Sequence, residues 1–123
     1  MQTVVLYLGR ILFGGYFIMS GYNHFAHLKM MAGYSQSKGV PAAKSAVAIT
    51  GALLLIAGIT TLFNFYPAVG LVALIIFLVP VTFVMHAFWK IQDPLAKMGE
   101  RVNFFKNLAL LGGALLLLSG FLS

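Results

Sequence analysis

The stretch AVAITGALLLIAGITTLFNFYPAVGLVALIIFLVPVTFVMHAFW, Ala46 to Trp89, decides the fold, because it contains no Asp, Glu, Lys or Arg. A helix crosses the hydrocarbon core of a bilayer with about 20 mostly apolar residues, and this stretch holds two such lengths. They are divided at Asn64-Phe65-Tyr66, followed by Pro67, whose missing N–H has no helical partner to lose at a first helical position. The pattern predicts two antiparallel membrane helices, about 46–63 and 67–89, joined by a tight turn.

Working outward, the same test finds a third length at about 4–22, Val4 to Tyr22, with the single charge Arg10, and a fourth at about 103–123 with Lys106 near its start. The 123 residues have little room for anything else. The expected fold is therefore an all-α integral membrane protein, one transmembrane domain over 1–123 folded as a four-transmembrane-helix bundle. Composition agrees, since 61% of the residues are hydrophobic and 8% charged, whereas soluble domains carry about 25% charged residues. A cleaved signal peptide is not expected, because a basic leader and a small-residue cleavage site are not evident. The first connection, Asn23 to Lys44, reads as a short interfacial segment followed by a restart at Gly39-Val40-Pro41. The last, Lys90 to Val102, is polar and opens with Asp93-Pro94, which reads as the end of the third span.

The charge is one-sided. Lys29, Lys38, Lys44, Lys90, Lys97, Arg101 and Lys106 all fall at one end of the bundle, so the positive-inside rule makes that end cytoplasmic and leaves both termini outside. A formal charge of +6 also raises nucleic acid as a partner, but these bases sit between apolar runs rather than on an exposed face, so none is expected. Having no cysteine excludes disulfides, thiolate metal sites and thiol exchange. The only acids, Asp93 and Glu100, lie near the water interface, which leaves no intramembrane carboxylate relay and no pair for general acid and base work. The serines lack a nucleophile-turn context, and neither a phosphate loop nor a dinucleotide fingerprint is present. A stand-alone enzyme is not expected.

Membrane helices associate through close backbone approach at small residues. Ala48 with Ala52, and Ala109 with Gly113, have the four-residue spacing for it, and Gly14, Gly15, Gly51 and Gly58 offer further contact points. Arg10 is costly inside a span. A depth count places it level with Ile76, whose carbonyl loses its helical donor to Pro80, so Arg10 either caps that kink or snorkels to the headgroups.

Polar side chains otherwise gather at the basic end: Asn23, His24 and His27, then His86, Trp89, Lys90 and Asp93, then Asn103, Lys106 and Asn107. If the third span continues through Trp89, the spacing of His86, Trp89, Lys90 and Asp93 puts them on one face. Such a set is either an interfacial belt or the border of a pocket for a small molecule such as a quinone head, using His86 and Asn107. Haem or metal ligation by two histidines has the least support, because nothing fixes their mutual geometry.

Gly9-Arg10-Ile11-Leu12-Phe13, Ser20-Gly21-Tyr22-Asn23-His24-Phe25 and Tyr34-Ser35-Gln36-Ser37-Lys38-Gly39-Val40-Pro41 resemble the DoxX family of small bacterial and archaeal membrane proteins. Phe77 to Phe83, Met85-His86-Ala87-Phe88-Trp89, Asp93-Pro94 and Phe105 to Gly112 continue the resemblance in order. It implies a four-helix protein of the cytoplasmic (inner) membrane. The family is named after a subunit associated with a quinone-reducing thiosulfate oxidation system, and relatives have been linked to membrane redox complexes. Arg10, Asn23, His24, His86, Trp89, Lys106 and Asn107 fall on recurring family positions. Many members carry a glutamate in the second span where this chain has Ala48, which speaks against a carboxylate-dependent mechanism.

The resulting expectation is an accessory, redox-linked subunit with a cytoplasmic-side pocket for a quinone-like or lipid-like molecule. Asn23, His24, His86, Trp89 and Asn107 are the ligand-binding candidates, and Arg10, Pro80, Asp93 and Lys106 the structural polar ones. Quinone is the cofactor class implied, with no metal. Expected partners are membrane lipid, other membrane or redox subunits, and a second copy of the chain. The alternative is a carrier or assembly factor for a small hydrophobic molecule or a partner protein, without electron transfer.

Overall fold

The computed structural model describes residues 1–122. Five α-helices follow one another: α1 (Gln2–Ala26), α2 (Leu28–Ser37), α3 (Ala43–Phe63), α4 (Pro67–Met85) and α5 (Pro94–Ser119), with one 3₁₀ turn at Phe88–Lys90 before the last. Four of them, α1, α3, α4 with its 3₁₀ extension, and α5, are long and apolar enough to cross a membrane. Large apolar side chains such as Leu12, Val5 and Leu116 stand on the outside, as a lipid-facing surface requires. The protein is an all-α, four-transmembrane-helix bundle.

Neighbours in sequence are neighbours in space, with α1 on α3, α3 on α4, α4 on α5, and α2 folded back on α3. Phe17, Leu54, Ala57, Leu71, Leu74, Leu78 and Ala114 form the core, so all four spans contribute to it. The most extensive contact is between α1 and α3. A Cβ on Gly14 would lie 2.8 Å from the Gly58 carbonyl oxygen, and one on Gly58 would lie 2.6 Å from the backbone nitrogen of Ile18. Two turns along, a Cβ on Gly21 would lie 2.9 Å from the Gly51 carbonyl oxygen. Backbone therefore rests directly on backbone, in the way small residues permit. The seam is Gly14 and Gly21 against Gly51 and Gly58, rather than the alanine pairs suggested by spacing. Ala52 and Ala109 face outward, and Cβ atoms on Gly15 or Gly113 would meet nothing within 4 Å.

Asn64 and Tyr66 turn the chain between α3 and α4 in left-handed conformations, with φ of 54° and 49°. The Asn64 and Phe65 amides donate back to Thr61 and Thr60 carbonyls, and Pro67 opens α4. Gly70 then lets α4 approach the Thr60 hydroxyl, which donates to the Ile56 carbonyl.

The first span runs on to Ala26 and α3 starts at Ala43, and two further differences reshape the basic end. The third span ends at Met85, not Trp89, and α5 begins at Pro94, not Asn103. Asp93 is the cause of the second difference. Instead of ending α4, it caps α5, accepting a 2.9 Å hydrogen bond from the Ala96 amide while Pro94 takes the first helical position. The chain must reverse before that cap, and it does so through the 3₁₀ turn, which lays Phe88 and Trp89 against Phe104 at ring separations of 5.4 and 5.5 Å. The helical face that spacing assigned to His86, Trp89, Lys90 and Asp93 is therefore not formed.

Arg10 does not reach the Ile76 carbonyl, which Pro80 leaves without its helical donor inside the continuous α4. The depth count assumed that all spans start level, but Gly14 packs against Leu62 near the end of α3. Arg10, one turn nearer the N-terminus, thus lies level with the α3–α4 turn rather than with Ile76. Its guanidinium sits 5.7 Å from the Tyr7 ring centroid on its own helix.

Candidate functional site

The polar groups of the basic end centre on Glu100. One carboxylate oxygen lies 3.2 Å from His86 Nδ1 and 4.0 Å from Lys38 Nζ, and the other accepts a 3.0 Å hydrogen bond from Asn103 Nδ2. Asn103 follows Glu100 on the same face of α5, His86 is the residue after the last turn of α4, and Lys38 is the residue after the last turn of α2. Three helix ends are thus joined through one carboxylate whose side chain is 14% exposed.

The candidate ligand residues are held by separate partners. His24 is buried, and its Nδ1 is 2.8 Å from the Ser20 carbonyl, so that nitrogen donates within α1. Its ring meets the Phe77 ring edge to face at 6.1 Å. His86 is held by Glu100, Trp89 by the aromatic cluster around Phe104, and Asn107 is buried on α5. Asn23 is exposed. Among the described residues, no group of three or more His, Asp or Glu side chains could hold a metal ion.

The open space lies elsewhere. Because the backbones of α1 and α5 stay apart, a groove of about 450 Å³ runs between them, lined by Gly9, Leu12, Phe13, Tyr16, Phe17, Leu110 and Lys106. Its lining is mostly apolar, with Lys106 and Tyr16 as the residues that carry polar groups. A second cleft, of about 440 Å³, lies between α2 and the start of α3.

Sequence reasoning treated Glu100 only as an interfacial acid. The signal that could have singled it out was scarcity: one of two acids in the chain, three residues from Asn103, it faces seven basic residues at its own end. Thr82 was also passed over. Its Oγ1 is buried without a hydrogen-bond partner among the described residues.

The DoxX family model matches residues 5–87, more than half of the chain. Neither a curated protein nor a solved structure matches it. The matched region contains the glycine seam, Lys38 and His86, whereas Glu100, Asn103, Lys106 and Asn107 lie beyond it.

Proposed function

The chain belongs to the DoxX family, and from that premise we propose that it is an accessory, redox-linked membrane subunit that holds a quinone-like or lipid-like molecule. The observation that carries this reading is the groove between α1 and α5. Its volume of about 450 Å³ is within the ordinary range of small-molecule sites, which combine apolar walls with a few polar anchors. Leu12, Phe13, Tyr16, Phe17 and Leu110 suit an isoprenoid or acyl body, and Lys106 supplies one cationic donor for a carbonyl or acidic head. Lys106, first counted as a structural polar residue, takes the anchoring role in place of His86 and Asn107.

The chain's part is to bind and orient the molecule, keep water from its apolar body and present its head beside Lys106. Electron transfer would belong to a partner subunit. Orientation completes the reading: the basic connections face the cytoplasm of a bacterial or archaeal cell across its inner membrane, with both termini outside. A carrier without electron transfer is the second reading, favoured by the groove's open side, through which a molecule could pass to and from the lipid.

Native mass spectrometry with ligand extraction tests the proposal on the mildly solubilised wild type and on Leu12→Trp, which fills the groove from an exposed, lipid-facing position. One quinone or defined lipid retained by the wild type and lost from Leu12→Trp supports it. Bulk lipid alone on both proteins overturns it. A quinone favours the redox subunit, and another hydrophobic molecule favours the carrier.

A further inference from the structure

Helix α2 divides its surface three ways. Ala32 and Ser35 are buried against the bundle, Met30 and Tyr34 are exposed apolar residues one turn apart, and Lys29, Gly33 and Gln36 form a third stripe. A short helix with an apolar outer stripe beside a basic one lies in the interfacial layer of a membrane. The third stripe faces the cleft of about 440 Å³, whose opposite wall is Val40 to Lys44.

Two ammonium groups, Lys29 and Lys44, border this cleft, and among the described residues no acidic side chain pairs with either. Both of the chain's acidic side chains are committed elsewhere: Asp93 to the Ala96 amide, Glu100 to His86, Asn103 and Lys38. Among the described residues, neither lysine has an ion-pair partner. Lys44 also stands in the first turn of α3, where the helix dipole adds positive rather than negative potential and no acid relieves it. Positive charge concentrated at headgroup depth around an open cleft calls for an anion supplied by the surroundings. We propose that the cleft between α2 and α3 binds the phosphate headgroup of an anionic phospholipid, with Lys29 and Lys44 on the phosphate and Gln36 donating to the headgroup. The lipid's acyl chains would lie against the exposed Met30 and Tyr34 stripe. This site is separate from the groove between α1 and α5, and it stands whether or not that groove holds a quinone.

The test is native mass spectrometry of the full chain in mild detergent, with phosphatidylglycerol titrated in and phosphatidylcholine as the neutral comparison. Loss of two charge-assisted hydrogen bonds in Lys29→Gln/Lys44→Gln should lower phosphatidylglycerol retention by about tenfold or more. Lys90→Gln/Lys97→Gln removes the same charge from exposed positions at the same end, and should leave retention within about twofold. Gly33→Leu provides a variant with unchanged charge. A side chain there meets nothing within 4 Å, so it can extend into the cleft without disturbing α2, and it should also abolish retention. Equal losses in the two lysine pairs would reduce the effect to general attraction and overturn the proposal. Full retention by Gly33→Leu would overturn it as well. Displacement of the lipid by millimolar inorganic phosphate would make the site one for free phosphate, and that too contradicts the assignment.

Discussion

The two flanks of α1 are built from similar residues and do opposite things. Toward α3, Gly14 and Gly21 meet Gly51 and Gly58 with backbone against backbone. Toward α5, Gly9 lines an open groove, and Cβ atoms on Gly112 or Gly113 of α5 would meet nothing within 4 Å. Glycine permits close approach but does not cause it. A seam forms where two glycine-bearing faces meet at matching depth. Where they do not meet, the same residue leaves space that lipid or a ligand can fill. One flank is thus a fixed joint and the other an open groove.

The largest effect should come from breaking the joint. Gly58→Leu drives a side chain into the Ile18 backbone and the Gly14 carbonyl, neither of which can rotate away, so the bundle should fail to assemble. Gly58→Ala should cost about 1–3 kcal/mol, the usual range for overpacking. Thermal unfolding in detergent measures both, and a neutral Gly58→Ala would remove the distinction between the flanks.

An intermediate effect is expected at the basic end, where α5 packs on α4 and Glu100 links it to the ends of α4 and α2. Glu100→Gln keeps the shape but leaves His86 and Lys38 without their anionic partner, which should cost about 1 kcal/mol for this partly buried cluster. It should loosen α5 and leave the α1–α3 seam unchanged. Hydrogen exchange resolved by helix separates these outcomes, and equal loss of protection in α1 and α5 would contradict the division.

The smallest effect belongs to Gly113→Ala. With nothing near its Cβ, this substitution should be neutral or stabilise α5 by up to about 1 kcal/mol, the helix-propensity gain. Destabilisation comparable to that of Gly58→Ala would mean that α5 also packs through its glycines.

Much of the fold was legible because bilayer thickness and the absence of charge fix where spans can be. The pairing at Asn64–Tyr66 and the first-turn role of Pro67 followed from local chemistry. The end of α4 did not, since His86 to Lys90 suit a helix and only the Asp93 cap on α5, with Phe88 and Trp89 folding onto Phe104, ends it sooner. Glycine roles were half legible: spacing identified Gly14, Gly51 and Gly58 but equally the idle Gly15 and Gly113, because the relative depth of two helices is not written in either one. The depth assigned to Arg10 failed for the same reason. The polar residues were found, but not their arrangement, since Glu100 joins His86 and Lys38 across three helix ends far apart in sequence.

The most direct test of the contrast uses the absence of native cysteine, so that spin labels attach only where cysteines are introduced. Distance distributions would be measured by pulsed electron paramagnetic resonance for Ile11→Cys, exposed and outside the groove lining, with Ile59→Cys, across the α1–α3 seam, and for Ile11→Cys with Leu116→Cys, across the open flank. The first pair should give a narrow distribution that ignores added quinone or lipid, and the second a broader one that narrows when the groove is filled. Two narrow distributions, both indifferent to ligand, would contradict the account.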